Sequence, residues 1–159
     1  MIGDNIMLAV GAKDTFEDNL DLRLYYDRKF KDYGYLGLYT DKCIRAIGKI
    51  QKIVIVEKKF REWQFNISVT QDEQNRIFEA MKRAENYGSS EYNFGDVPEK
   101  FFFVDKFYPT AYEKESAGSL RRCKKFNLCQ ALKIKTLPEN TEDIAKYLNG
   151  KSWGNGNNY

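Results

Sequence analysis

GYLGLYTDKCIRAIGKIQKIVIVEKK, residues 34 to 59, decides the fold, because it reads either as a basic-faced helix or as a long strand. Lys42, Arg45, Lys49 and Lys52 recur at spacings of three, four and three, which would stack them on one helical face. Against that, seven of the thirteen residues from Ile44 to Val56 are Ile or Val. Their branched β-carbons lose rotamer freedom against a helical turn and fit a pleated surface. The stretch is therefore a strand. Its alternation breaks at Ile47, beside Gly48, where a β-bulge is expected to reset the inward face. GYLGLY (34 to 39) is the antiparallel partner, joined to it through the short polar link Thr40 to Cys43.

Outward from this hairpin, residues 62 to 69 (EWQFNISV) alternate, placing Trp63, Phe65, Ile67 and Val69 on one face of a third strand in an antiparallel meander. TQDE, residues 70 to 73, has the form of a helix capping box. The helix after it carries an apolar stripe of Ile77, Ala80, Met81, Ala84 and Tyr87, with Gly88 placed to end it. Residues 88 to 100 form a loop by composition, and FFFVDKF (101 to 107) is a strand buried on both sides. Tyr108 to Phe126 is expected to be an exposed loop leading into a basic strand. NIMLAV (5 to 10) is a first buried strand, DTFEDNLDL a helical turn, and LRLYYDRKFKDY has no clean period. Asn140 or Thr141 caps a last helix, Glu142 to Asn149, against which Trp153 docks. With no repeat or interior linker, the expectation is one α+β domain over residues 1–153 and a flexible tail over 154–159. Its sheet is small, curved and mainly antiparallel, or a partly open β-barrel, with flanking helices.

A chain of 159 residues buries enough surface to fold without a metal or disulfide staple, so no cofactor is expected. Eleven tyrosines, eleven phenylalanines and two tryptophans suit a β-containing globule. The sequence has no run long enough to span a bilayer and no secretory leader at its start, so a soluble cytoplasmic protein is expected. Cys43, Cys123 and Cys129 are odd in number and lack CxxC spacing, which points to reduced thiols. The absence of histidine removes Ser-His and Cys-His nucleophile pairs and any histidine general base. Catalysis, if there is any, must run on carboxylates, Lys, Tyr or Cys.

The net charge of +3 is unevenly placed. Lys42 to Arg61 and Lys114 to Lys135 each hold seven basic residues against one acid, +6 apiece, which leaves 3 − 12 = −9 for the rest. Such asymmetry is the footprint of a polyanion partner, although solvated lysines produce it without one. Bases stand beside aromatics at Tyr35, Tyr39, Lys42, Arg45 and Lys49, and again at Tyr112, Lys114, Arg121, Arg122, Lys124 and Lys125. Phosphates need cations and unstacked bases need flat faces, so the pairing suits a nucleic-acid groove; the aromatics taken singly suit a core. SAGSLRR (116 to 122), beginning at Ser116, reads as an anion nest or as a solvated loop. Glu57 and Lys59 make the ExK pair of a metal-dependent nuclease, with Asp41 upstream. On one strand, however, Asp41 and Glu57 stand roughly 40 Å apart, too far for one metal.

The hairpin entry and the run DKCIRAIGKIQKIVIVE, with Ile44, Ile47, Gly48, Ile50 and Ile53 in register, resemble the strand pair of the PUA-like superfamily, nearest its EVE and ASCH branches. The resemblance implies a small β-barrel with flanking helices that binds RNA or DNA, in some members by taking a modified base into an aromatic pocket. It carries over to Tyr39, Lys42 and Arg45; Trp63 is a pocket candidate by chemistry alone, beside Tyr35 and Tyr112. The expected function is a non-catalytic nucleic-acid-binding module that does not enter membranes. The competing readings are a metal-dependent nuclease, a binder of a nucleotide signal, and an adaptor or inhibitor of an acidic protein.

Overall fold

Strand β4, Cys43–Lys59, is the axis of the computed structural model, which describes residues 4–29, 32–87, 94–116, 120 and 123–154. It is one strand of 17 residues, as its β-branched content dictates. Along one edge it pairs antiparallel with β6, Glu99–Lys114, from Cys43↔Glu113 to Val56↔Glu99. The register between them slips after Gly48, where the sequence places a bulge, and also between Ile44 and Ala46 and between Ile50 and Lys52. Gly48 is required there by space: a Cβ would lie 2.9 Å from Phe107 Cδ1 and 3.0 Å from Lys106 O.

The other edge of β4 is shared by two short strands. β3, Tyr35–Thr40, covers its start, and β5, Glu62–Phe65, covers its end. Because β3 and β5 lie on the same edge and β6 takes the opposite one, the three consecutive strands are not a meander. β5 also stops four residues short of the expected Val69. Asn66 closes the ladder there, its side chain accepting from Ile55 N at 2.6 Å and its own N–H donating to Ile55 O at 3.1 Å. Ile67, beyond the closure, is exposed.

Beyond β3 lie β1, Ile6–Gly11, parallel to it, and β7, Cys123–Asn127, antiparallel to β1. β2, Leu24–Asp27, pairs with β6 at Lys100–Phe103, and β8, Ser152–Trp153, runs parallel to the other end of β6. Among the described residues these eight strands form one open, curved, mixed sheet in the order β2-β6-β4-β3-β1-β7, with β5 and β8 as side branches. The fold is thus α+β. β6 overturns the expectation of an exposed loop from Tyr108: the strand continues through Pro109 to Lys114. Its inward positions there, Thr110, Tyr112 and Lys114, are buried, and two of the three are polar, which hid the alternation. Thr110 is satisfied by donating to Ala145 O at 2.7 Å.

Helix α1, Phe16–Leu22, precedes β2, and α2, Gln71–Ala84, follows β5. The capping box of α2 is formed: Thr70 Oγ1 accepts from Glu73 N at 3.1 Å and Glu73 Oε1 accepts from Thr70 N at 2.8 Å. Ile77, Ala80, Met81 and Ala84 are buried against Phe101 and Phe103, whereas Tyr87, in the 3-10 turn Glu85–Tyr87 that ends the helix, is exposed. Gly88 lies outside the described residues. Phe102 and Val104 point to the opposite face of the sheet, so the FFFV run is buried on both sides. A short α3, Leu128–Leu132, follows β7. Then α4, Thr141–Leu148, capped by Asn140, packs Ile144, Ala145 and Leu148 on a third cluster that contains Trp153. No helix among the described residues is long and apolar enough to cross a membrane.

Candidate nucleic-acid interface

Asp41 and Lys42 form a two-residue turn between β3 and β4, both left-handed at φ 52° and 60°. Such a turn matches the right-handed twist of the strands it joins, and Asp tolerates its first position. Arg45 locks the turn from behind, its Nε donating to Thr40 O at 3.0 Å and its Nη2 to Asp41 O at 3.2 Å. The end of β6 sits against it, since Lys114 N donates to Lys42 O at 2.9 Å. This one bond brings the starts of the two basic segments side by side. Lys114 itself is largely buried, with Nζ donating to Ser116 O at 3.1 Å.

Beneath this rim lies an aromatic floor. Trp153 pairs with Lys114 across β8 and β6. Its ring centre lies 5.0 Å from Phe126, 6.3 Å from Tyr112 and 6.4 Å from Tyr39. Lys124, on β7, holds Nζ 5.2 Å from the Trp153 ring centre, a cation–π contact that fixes a third lysine over the floor. Among the described residues, Tyr39 Oη, Trp153 Nε1 and Ser116 Oγ are buried here without a hydrogen-bond partner. Burial raises the Tyr39 hydroxyl pKa; the Leu120 backbone offsets part of the rise without making a well-formed hydrogen bond. Cys43, also buried, has its thiol pushed up by burial, which keeps it protonated and inert.

Of the other expected site residues that the structure describes, all but Tyr35 lie elsewhere. Tyr35 belongs to the same buried cluster as Tyr39 and Tyr112, the three exposing 4, 7 and 1% of their surface, so they form a packed floor more than an open cage. Lys49, opposite Tyr35 in the β3–β4 ladder, lines a separate cleft of about 810 Å³ with Tyr33, Lys52, Lys135 and Glu139. Lys52 is already committed, donating to Ser68 O at 2.6 Å and to Glu73 Oε1 at 2.8 Å. Lys125 lies over Tyr33 at 5.4 Å from the ring centre, and its bond to the Tyr33 hydroxyl raises its pKa. Trp63 packs on Phe78 at 5.8 Å in the cluster under α2, apart from the tyrosines. Arg121, Arg122 and positions 117–119 of SAGSLRR lie outside the described residues.

Glu57 and Lys59 form an ion pair at 3.2 Å at the end of β4 opposite Asp41. Among the described residues no three His, Cys, Asp or Glu side chains gather as a metal site would require. The residue that sequence reasoning missed is Trp153 as the floor beneath the Asp41–Lys42 turn. Its docking on the last helix was legible, but no spacing links it to Lys124 or Tyr39; only β8 pairing with β6 does. Matched against protein-family models, curated proteins and solved structures, the chain is similar to none of them.

Proposed function

We propose that this chain is a non-catalytic nucleic-acid-binding module, in keeping with the PUA-like resemblance of its β3–β4 hairpin. The observation that carries the reading is the Lys114 N to Lys42 O bond, which sets the starts of two basic segments of distant sequence side by side at one end of the sheet. Lys42, Arg45 and Lys124 then supply cations for phosphates, above a floor of buried aromatic rings. The three free thiols suit a reducing cytoplasmic setting.

The test is fluorescence anisotropy of labelled DNA and RNA, single- and double-stranded, at two salt concentrations. Wild type should bind with affinity that falls steeply with salt. Lys42→Ala/Lys124→Ala should weaken binding to all sequences alike and reduce the log–log salt slope by about 1 for each phosphate no longer neutralised. Absence of binding at low salt overturns the reading. Thermal stabilisation by small nucleotides alone would then favour a nucleotide-signal binder at the same end, and a stable complex with an acidic protein would favour an adaptor.

A further inference from the structure

The far end of β4 carries a side chain that neither the core nor the interface at Lys42 uses. Phe60 and Arg61 form the two-residue turn into β5, with left-handed φ of 52° and 68°. Asn and Gly hold that conformation readily; an aromatic side chain does not. Phe60 is 95% exposed, and the next large apolar side chain among the described residues, Tyr147, is 54% exposed. A ring placed in water, in a backbone conformation that disfavours it, contributes nothing visible to folding. Such a local conflict is the mark of a position kept for another purpose.

Its surroundings define that purpose. Lys58, Lys59 and Arg61 are exposed beside the turn. Lys59 shares its charge with Glu57 and faces the exposed Glu62 across the ladder, so that Lys58 and Arg61 carry the excess positive charge. The stem is braced: Lys58 Nζ lies 5.2 Å from the Trp63 ring centre, and a Cβ on Gly95 would come within 2.9 Å of Lys58 Cβ and 3.2 Å of the Trp63 ring. The hairpin is thus held in place before any partner arrives, which limits the entropy lost on binding. We infer that Phe60 is a stacking finger for an unpaired base of a single-stranded nucleic acid, with Lys58 and Arg61 meeting the flanking phosphates. One flat ring between cations matches one base between phosphates. A membrane surface would call for several apolar side chains at the tip, and the turn offers one. The inference rests on the nucleic-acid reading above, but concerns the opposite end of β4.

The experiment compares wild type, Phe60→Ala, Phe60→Trp and Lys42→Ala/Lys124→Ala for binding to a fluorescein-labelled single-stranded oligonucleotide. Phe60→Ala should bind about 5- to 150-fold more weakly, the range that loss of one stacked base implies, with no fall in melting temperature. Phe60→Trp should keep the affinity. If Phe60→Ala binds like wild type while the lysine variant is weakened, the finger is overturned and the nucleic-acid reading survives. If wild type binds no oligonucleotide, both fall. Loss of binding to phosphatidylserine vesicles in Phe60→Ala, with oligonucleotide affinity unchanged, would assign the tip to a membrane and overturn the inference.

Discussion

The two ends of β4 carry the same kind of turn and use it oppositely. At Asp41-Lys42 and at Phe60-Arg61 two consecutive residues take left-handed φ, as a twisted two-residue hairpin demands. The first turn is bound into the sheet by Arg45 and by the amide of Lys114. Among the described residues nothing comparable covers Phe60, which projects. Backbone geometry is thus set by strand twist in both places, whereas the fate of the side chains is set by what packs alongside: β6 and β8 at one end, open solvent at the other.

The sharpest way to break this contrast is to remove one tryptophan from each end. Trp153→Ala empties the floor beneath the anchored turn and should lower stability by about 3–5 kcal/mol in urea or thermal unfolding. Trp63→Ala, at a half-buried site beneath the projecting turn, should lower it by less. Equal losses would mean that the anchored end is no better packed than the hairpin stem.

A smaller effect concerns the tie between β4 and α2. The hydrogen bond from Lys52 Nζ, and after it that from the Thr70 amide, holds the Glu73 carboxyl below its ordinary pKa. A depressed carboxyl stabilises the fold above its unfolded value, and that contribution is lost as pH falls through the lowered one. Glu73→Gln should therefore destabilise by about 1 kcal/mol or less at neutral pH and flatten the acid limb of the stability curve below about pH 4. An unchanged acid limb would show that Lys52 is not held by this carboxylate.

The smallest effect has the opposite sign. Phe60→Asn relieves the left-handed strain at the projecting turn and should raise stability by at most about 1 kcal/mol, read as a small increase in melting temperature. A decrease would mean that the Phe60 ring packs on something in solution, and the two turns would then be alike.

Much of the architecture is readable from local chemistry. The β-branched run makes β4, the Thr70–Glu73 pair starts α2, Asn140 starts α4, and the aromatic run of β6 is buried on both faces. Each of these depends on interactions within a few residues or on a simple period. The continuation of β6 to Lys114 was hidden because its inward side chains include Thr110 and Lys114, which take hydrogen-bond partners from α4 and from Ser116. The shortened β5 was hidden likewise, since Asn66 ends it through a bond to a strand eleven residues away.

By itself, then, the sequence determined the strands and helices with a clear period, the caps that start two helices, the two basic segments and the absence of histidine chemistry. Only the tertiary structure decided that β1 runs parallel to β3 and that β8 closes on β6. It also decided that Lys124 stands over Trp153, that Lys114 pairs with Trp153 and ties the Lys42 turn to it, and that Trp63 stands with α2. The reason is range. Periodicity and capping are written in neighbouring residues, whereas pairing between distant strands is selected by how the whole apolar surface is buried, and no short stretch carries that information.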